Sequence, residues 1–231
     1  MRQIMFVFVA ALFFSLESAY SASAPSGMPR LPSGGSLGLQ GSAGVGFVDY
    51  TVESPESDIE MDRGIFATVG IERAFNFMHL YLTLGLSHMT AEGTANYSYT
   101  NLSSSASYAA SDVKFKSAVT DLSLGIKLKL IDDYWFRPYI EGGGLGGYHQ
   151  VTYTSKQDLL TAQGSDYKSK DVVMGSGYYG EAGLETMFSE KFGVKLSARK
   201  SWYRTKNLET LGDRPLRFSS ESYYFALLFG F

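Results

Sequence analysis

A two-residue alternation of apolar and polar side chains is the feature that most limits how this chain can fold. It is clearest in residues 118–130, which read AVTDLSLGIKLKL. Successive side chains of an extended strand point to opposite faces, so the pattern predicts a strand with one aliphatic and one charged face. A helix would spread the lysines around its circumference. The aliphatic face comprises Ala118, Thr120, Leu122, Leu124, Ile126, Leu128 and Leu130, and the other face comprises Val119, Asp121, Ser123, Gly125, Lys127 and Lys129.

The same alternation recurs along the chain and predicts eight strands. Each segment approaches or exceeds the roughly 9–11 residues that a tilted strand needs to cross a bilayer. The abundance of Tyr (16) and Phe (16), with only six prolines, also favours strands over helices. The eight segments are residues 37–50, 63–73, 78–89, 118–130, 134–149, 173–187, 192–203 and 222–231.

The N-terminal residues are typical of a secretory signal peptide. Arg2 supplies a positive charge, and Ile4 to Leu16 is an apolar run of 13 residues, which is too short to span a bilayer as a helix. Cleavage before Ala22 is the preferred site, because a cut after Ala24 would place Pro25 directly behind it. We therefore expect a signal peptide over residues 1–21, a short linker over 22–36 and a barrel over 37–231. The rest of the sequence contains no run of about 18 apolar residues, so no transmembrane helix is predicted there.

The predicted connections between strands alternate in length. Short turns at one rim and long polar loops at the other are typical of an outer-membrane barrel with both termini at the periplasmic rim. The predicted fold is therefore all-β, an eight-stranded antiparallel up-and-down transmembrane β-barrel. The short connections are residues 74–77, 131–133 and 188–191, and the long ones are 51–62, 90–112, 150–172 and 204–219.

If the aliphatic faces meet lipid, the charged faces line the lumen. An eight-stranded barrel is only wide enough inside for its own side chains, so buried charges there need partners. We expect a salt-bridge network that plugs the barrel, with a narrow ion path as the alternative; a wide diffusion channel would need more strands. The predicted lumen charges are five acids (Glu72, Asp121, Glu141, Glu181 and Glu185) and five bases (Lys127, Lys129, Arg137, Lys195 and Arg199).

The eight segments, the glycine-rich strand RPYIEGGGLG at residues 137–146 and the aromatic alternation SYYFALLFGF at residues 222–231 resemble the OmpA/Opa-like family of small outer-membrane β-barrels. The resemblance covers about residues 35–231 and implies a bacterial outer-membrane location, surrounded by lipid and lipopolysaccharide. It also implies that the barrel-assembly machinery reads the last strand. Carried over to this chain, the assembly signal comprises Tyr223, Phe229 and Phe231.

The sequence shows little sign of catalysis. There is no cysteine, and the three histidines have no metal-ligand spacing. His149 is expected to be a solvent-wetted histidine at the loop rim. Asp132 and Asp133 form the only adjacent acidic pair and are expected to shape a turn. We therefore predict no enzyme activity, no metal and no cofactor, and the net charge of −3 provides no basic surface for nucleic acid.

The predicted function is that of an integral outer-membrane protein with a structural or surface role. Its long loops, rich in Tyr and Ser, are suited to adhesion or to contact with host and cell-surface ligands, or they are hydrophilic cover over lipopolysaccharide. The alternative function is a narrow pore for ions or small solutes.

The fold also has a rival, a soluble ligand-carrying barrel that would place the aliphatic face inside. Leu82, Leu124, Leu196 and Phe229 would then point inward, and Glu141 and Arg199 outward.

Overall fold

A computed structural model describes residues 38–53, 57–75, 79–101, 106–131, 136–154, 168–189, 191–208 and 214–231. The predicted signal peptide and most of the linker lie outside these residues, as do Asp132 and Asp133. Among the described residues, no helix is long and apolar enough to cross a membrane. The strands are β1 (Leu39–Glu53), β2 (Ser57–Met61), β3 (Gly64–Ala74), β4 (Leu80–Asn101), β5 (Ala106–Lys129), β6 (Phe136–Thr154), β7 (Lys168–Met187), β8 (Phe192–Leu208) and β9 (Arg214–Gly230).

The strands form one closed antiparallel sheet. β2 and β3 pair with the same neighbour, β4, and are successive pieces of one barrel strand, so the barrel has eight strands. Each strand pairs with the next along the chain, and β1 closes the ring against β9. The predicted eight-stranded antiparallel barrel is confirmed.

The strand register gives the barrel its tilt. Directly opposed residues can be followed from one strand to the next, once around the ring. The path starts at Leu39 of β1, passes through Gly142 of β6 and Lys200 of β8, and returns to β1 at Asp49. The stagger is therefore ten residues (49 − 39), which for eight strands corresponds to a tilt of roughly 35–45°.

The strands are longer at one end than the alternation predicted. Most of the predicted loop over residues 90–112 is paired strand, because β4 and β5 remain hydrogen-bonded up to the pair Asn101 and Ala106. The other predicted loops, 51–62, 150–172 and 204–219, are likewise partly strand. The prediction of long loops was wrong in this respect, because backbone pairing continues where both faces are polar and the alternation no longer marks the strand.

The aliphatic face points outward. Leu124 and Leu196 are 47% and 55% exposed, whereas Arg199 is 6% exposed and Asp121 is fully buried. The exposed large hydrophobic residues recur on every second position of the strands, which is the reverse of a soluble barrel. The rival with an apolar interior is therefore wrong.

Glycines on the inner face make room for the largest lumen side chains. A Cβ atom added to Gly125 would lie 2.2 Å from the Tyr179 hydroxyl, and one added to Gly183 would lie 2.6 Å from the Tyr139 hydroxyl. Because these contacts are far shorter than van der Waals distance, both tyrosines can cross the lumen only opposite a residue without a side chain.

Candidate functional site in the barrel lumen

The centre of the lumen holds two lysines of β5 between two glutamates. Lys127 donates hydrogen bonds to Glu72 Oε2 and, at 2.8 Å, to Glu185 Oε1. Lys129 Nζ lies 2.7 Å from Glu72 Oε1 and 2.9 Å from Glu185 Oε2. All four side chains are buried, and each lysine contacts both carboxylates. The shared pairs offset the cost of removing these charges from water.

Glu141 is held mainly by neutral donors. Its Oε1 accepts hydrogen bonds from the Thr83 hydroxyl at 2.8 Å and from the Tyr179 hydroxyl at 2.7 Å. Its other oxygen lies 3.7 Å from Lys127 Nζ. Glu141 therefore joins the lysine cluster to the tyrosine of β7.

A second centre forms around Tyr139. Its hydroxyl donates to Glu181 Oε1 at 2.6 Å and lies 2.6 Å from the Ser197 hydroxyl. Lys195 Nζ lies 2.9 Å from the same Glu181 oxygen, and Lys127 and Lys195 both lie over the Tyr139 ring. Sequence reasoning omitted the tyrosines from the charge network. The signal was present in Tyr139-x-Glu141 and Tyr179-x-Glu181, where each tyrosine shares the inner face with the acid two residues later.

The three remaining predicted lumen charges, Arg137, Arg199 and Asp121, are also buried but belong to neither of these two centres. Arg137 lies opposite Glu185 in the pairing of β6 and β7. The Arg199 guanidinium lies over the Tyr179 ring at 4.0 Å, and its Nε donates to the Ser201 hydroxyl at 3.4 Å. Asp121 is separate from the lysine cluster and accepts a 2.7 Å hydrogen bond from the Tyr203 hydroxyl.

His149 is not the solvent-wetted rim residue that the sequence predicted. It is 2% exposed, and its ring contacts the rings of Tyr203 and Phe218 edge-on at 5.2 and 4.7 Å. Its Nε2 lies 4.0 Å from Asp121 Oδ1. The prediction failed because β6 continues to Thr154 and β8 to Leu208, past the segments in which apolar and polar residues alternate. The aromatic cluster around His149 consists of Tyr203, Phe218 and, in contact with Phe218, Tyr50. These three rings belong to a larger buried hydrophobic cluster that also includes Val48, Phe66, Met89, Ala91, Val119, Leu145, Tyr179, Tyr224 and Ala226.

The lumen therefore has two layers. The lower layer, nearer the short connections, is the charge network, and the upper layer, nearer the extended strand ends, is the aromatic cluster around His149. Within the described part of the chain, no group of three or more His, Asp or Glu residues is arranged to hold a metal ion. The arrangement fills the interior with paired charges below and packed rings above.

The outer face carries a band of apolar residues with a different border at each end. At the upper border, half-exposed ion pairs join Arg63 to Asp49 at 2.9 Å, Lys116 to Glu92 at 3.0 Å and Lys200 to Glu221 at 2.6 Å. An apolar band around a closed barrel with a polar interior, flanked by aromatic residues, is the arrangement of bacterial outer-membrane barrels. The chain is an outer-membrane β-barrel protein. The aromatic residues at its lower border are Phe75, Phe136, Phe188, Phe192, Phe229 and Phe231.

The three residues of the predicted assembly signal lie on the outer face of this outer-membrane barrel. Tyr223 is 53% exposed, and the ring of Phe229 contacts that of Phe192 at 6.0 Å. The Phe231 backbone N–H donates to the Leu39 carbonyl at 3.1 Å, which ties the last strand to the first. Their role in assembly stays a prediction.

Known proteins resemble this chain in the path of the backbone and not in sequence. No protein-family model and no curated sequence matches the chain. Among solved structures, Neisserial surface protein A aligns at 10% identity over 84% of this chain and 97% of its own, with a TM-score of 0.49. Ail of Yersinia pestis, solved with the heparin analogue sucrose octasulfate, aligns at 10% identity over 83% and 99%, with a TM-score of 0.41. OprG of Pseudomonas aeruginosa aligns at 13% identity over 83% and 96%, with a TM-score of 0.40.

Proposed function

We propose that this outer-membrane barrel is a surface protein with a sealed lumen, which presents its extended strands and loops to ligands outside the cell. The role is adhesion or contact with host or cell-surface molecules and involves no enzymatic step. Outer-membrane lipid and lipopolysaccharide surround the barrel, and the barrel-assembly machinery inserts it.

The hairpin of β4 and β5 is the observation that carries this proposal. Its strands are paired from Glu92 and Lys116, at the upper border of the apolar band, to Asn101 and Ala106, with one register shift between Ala95 and Tyr97. Nine residues separate Glu92 from Asn101 (101 − 92), which corresponds to about 30 Å of strand at 3.4 Å per residue. A paired hairpin presents a pre-formed backbone, and a pre-formed surface loses less conformational entropy on binding than an unpaired loop.

Shortening this hairpin tests the proposal. Thr94 and Lys114 are directly opposed, so an Asn-Gly turn can join them in place of residues 95–113. Bacteria producing the shortened protein are expected to adhere to cultured epithelial cells no better than bacteria without it. Heat-modifiable gel mobility checks that the shortened barrel still folds.

A second variant distinguishes adhesion through specific contacts from a loop that only forms hydrophilic cover over lipopolysaccharide. Residues 95–113 in scrambled order keep the length and composition of the projection and are expected to lose adherence as the deletion does. Unchanged adherence in both variants would contradict the adhesion role and favour hydrophilic cover.

The narrow pore is the second candidate, and a cavity in the lumen supports it. The cavity has a volume of about 40 Å³, enough for a few water molecules, and Thr83, Ser123, Lys127, Glu141 and Arg199 are among its lining residues. A conducting path would also have to cross the aromatic cluster around His149.

Planar-bilayer recordings decide between the sealed barrel and the pore. The purified protein is expected to give no conductance steps. The double variant Tyr203→Ala and Phe218→Ala is also expected to give none, because the charge network below stays intact. Reproducible steps from the unaltered protein would show that the lumen conducts.

A further inference from the structure

We propose that the outer face of β8 and β9, just above the apolar band, binds one molecule of lipopolysaccharide through a phosphate of its lipid A. Arg204 and Arg217 hold the phosphate, and the rings of Tyr178 and Trp202 contact the apolar part of the same molecule. The site rests on the proposed position of the barrel among lipopolysaccharide, but it does not depend on the adhesion role.

Arg204 and Arg217 lie side by side at the level where the outer face leaves the apolar band. They are directly opposed in the pairing of β8 and β9, and both are exposed. Lys200 and Glu221, which pair at the upper border of the band, are also directly opposed. Each arginine lies four residues farther up its strand (204 − 200 and 221 − 217), which is about 13 Å of strand. This position corresponds to the lipid headgroups.

The nearest outer-face neighbours of Arg204 among the described residues include no acid. Ser176 of β7 is opposed to it on one side and Arg217 on the other. Like charges that are directly opposed across two strands are unfavourable unless an anion lies between them. Glu53 of β1 is opposed to the far side of Arg217, so it lies next to only one of the two arginines. The diagonal neighbours of Arg204 toward the band are also uncharged, namely Tyr178 and Ser219.

Two aromatic rings lie directly on the membrane side of Arg204. Tyr178 and Trp202 are opposed in the pairing of β7 and β8, two residues below Ser176 and Arg204. Their rings are stacked with centroids 5.0 Å apart, and Tyr178 is 61% exposed. Aromatic side chains of this kind lie where headgroups meet acyl chains. Positive charge above a flat apolar surface fits a lipid that carries a phosphate better than it fits a free phosphate ion.

The orientation of the barrel selects the lipid. The arginines lie at the end of the extended strands, opposite the short connections, and the short connections of outer-membrane barrels face the periplasm. The site therefore faces the outer leaflet, where lipopolysaccharide presents phosphates on its lipid A. A guanidinium binds phosphate through two parallel hydrogen bonds, so a pair of adjacent arginines suits such a headgroup.

Native mass spectrometry tests the site with lipid A that carries both phosphates. The purified protein is folded in a non-ionic detergent and titrated with this lipid. We expect one tightly bound lipid A for each barrel. The double variant Arg204→Gln and Arg217→Gln is expected to bind about thirtyfold more weakly, which is about 1 kcal/mol for each arginine. Heat-modifiable gel mobility checks that each variant is folded.

The double variant Arg63→Gln and Lys116→Gln is the matched control. It also removes two bases from the upper border, but each of these contacts an acid on a neighbouring strand. Its affinity for lipid A is expected to equal that of the unaltered protein. Equal weakening in both double variants, or none in either, would show that lipid A does not bind at the arginine pair and would overturn the site.

Three further probes identify the ligand chemistry. Lipid A without its phosphates is expected to lose the tight binding. Phosphatidylglycerol is expected to bind the unaltered protein no better than the Arg204 and Arg217 double variant, and inorganic phosphate at the same concentration is expected not to displace lipid A. Preferential binding of phosphatidylglycerol to the unaltered protein, or displacement by inorganic phosphate, would contradict a lipopolysaccharide site.

Adherence of intact bacteria separates this site from the proposed function. Bacteria producing the Arg204 and Arg217 double variant are expected to adhere to epithelial cells as well as those producing the unaltered protein. Absence of lipid A binding by the unaltered protein would overturn the site and leave the surface role standing.

Discussion

At the scale of single residues, the buried ion cluster makes each of its members dependent on the others. Glu185 is fully buried and contacts both Lys127 and Lys129. Its removal would therefore leave the positive charge of both lysines less well compensated. Exposed pairs such as Lys116 and Glu92 are different, because water solvates each partner when the other is absent. Burial therefore decides which ion pairs matter for stability.

The substitution Glu185→Gln tests this dependence. It is expected to lower the free energy of unfolding by about 3–5 kcal/mol, because the two buried lysines would then share mainly the carboxylate of Glu72 and would lose one compensating negative charge. Urea unfolding in micelles, followed by tryptophan fluorescence, measures the change. The control Glu92→Gln removes an exposed partner and is expected to stay within about 1 kcal/mol. Equal effects of the two substitutions would mean that the lumen is solvated like the surface.

At the scale of strands, the two-residue period separates lipid from lumen. In β5, Leu124 points outward and its neighbours Ser123 and Gly125 point inward. A shift of the strand by one residue would place its lysines in lipid and its leucines among the charges. The period therefore specifies the register as well as the orientation of each strand.

A lysine at the middle of the apolar band tests this orientation. The substitution Leu124→Lys is expected to cost about 2–4 kcal/mol of unfolding free energy in lipid vesicles, because the charge would lie near the centre of the bilayer. The same residue introduced by Ser219→Lys, on the outer face near the upper border, is expected to cost at most about 1 kcal/mol. If both substitutions were tolerated equally in vesicles, the outer face of β5 would not be in contact with lipid.

At the scale of the whole molecule, closure of the barrel depends on its first and last strands. β1 and β9 pair over 14 positions, from Gln40 and Gly230 to Glu53 and Arg217. This pairing removes the free sheet edges that would be unsatisfied in lipid. The two strands are far apart in sequence, since Gln40 and Gly230 are 190 residues apart (230 − 40), so this is the most non-local pairing of the described sheet.

The substitution Phe231→Ser tests the predicted assembly signal. Recognition of the last strand by the assembly machinery would make this variant accumulate in the periplasm, with outer-membrane levels reduced at least about tenfold, as measured by fractionation and blotting. The control Phe188→Ser removes an equally exposed aromatic residue from the same border and is expected to leave these levels unchanged. Normal insertion of Phe231→Ser would show that Phe231 is not part of the assembly signal.

The alternation by itself determined the fold class, the eight strands and which face of each strand meets lipid, because a period of two can be satisfied in a bilayer only by strands closed into a barrel. It also placed the ten lumen charges on the inner face. It did not determine which of those charges are close together.

The tertiary structure decided the partners, because they depend on the stagger between strands that are distant in sequence. It set Lys127 between Glu72 and Glu185, placed the Arg199 guanidinium over the Tyr179 ring, and buried His149 where the sequence predicted a solvent-wetted rim. Local periodicity reports the environment of each face, whereas the neighbours of a lumen side chain are set by the register of the closed ring.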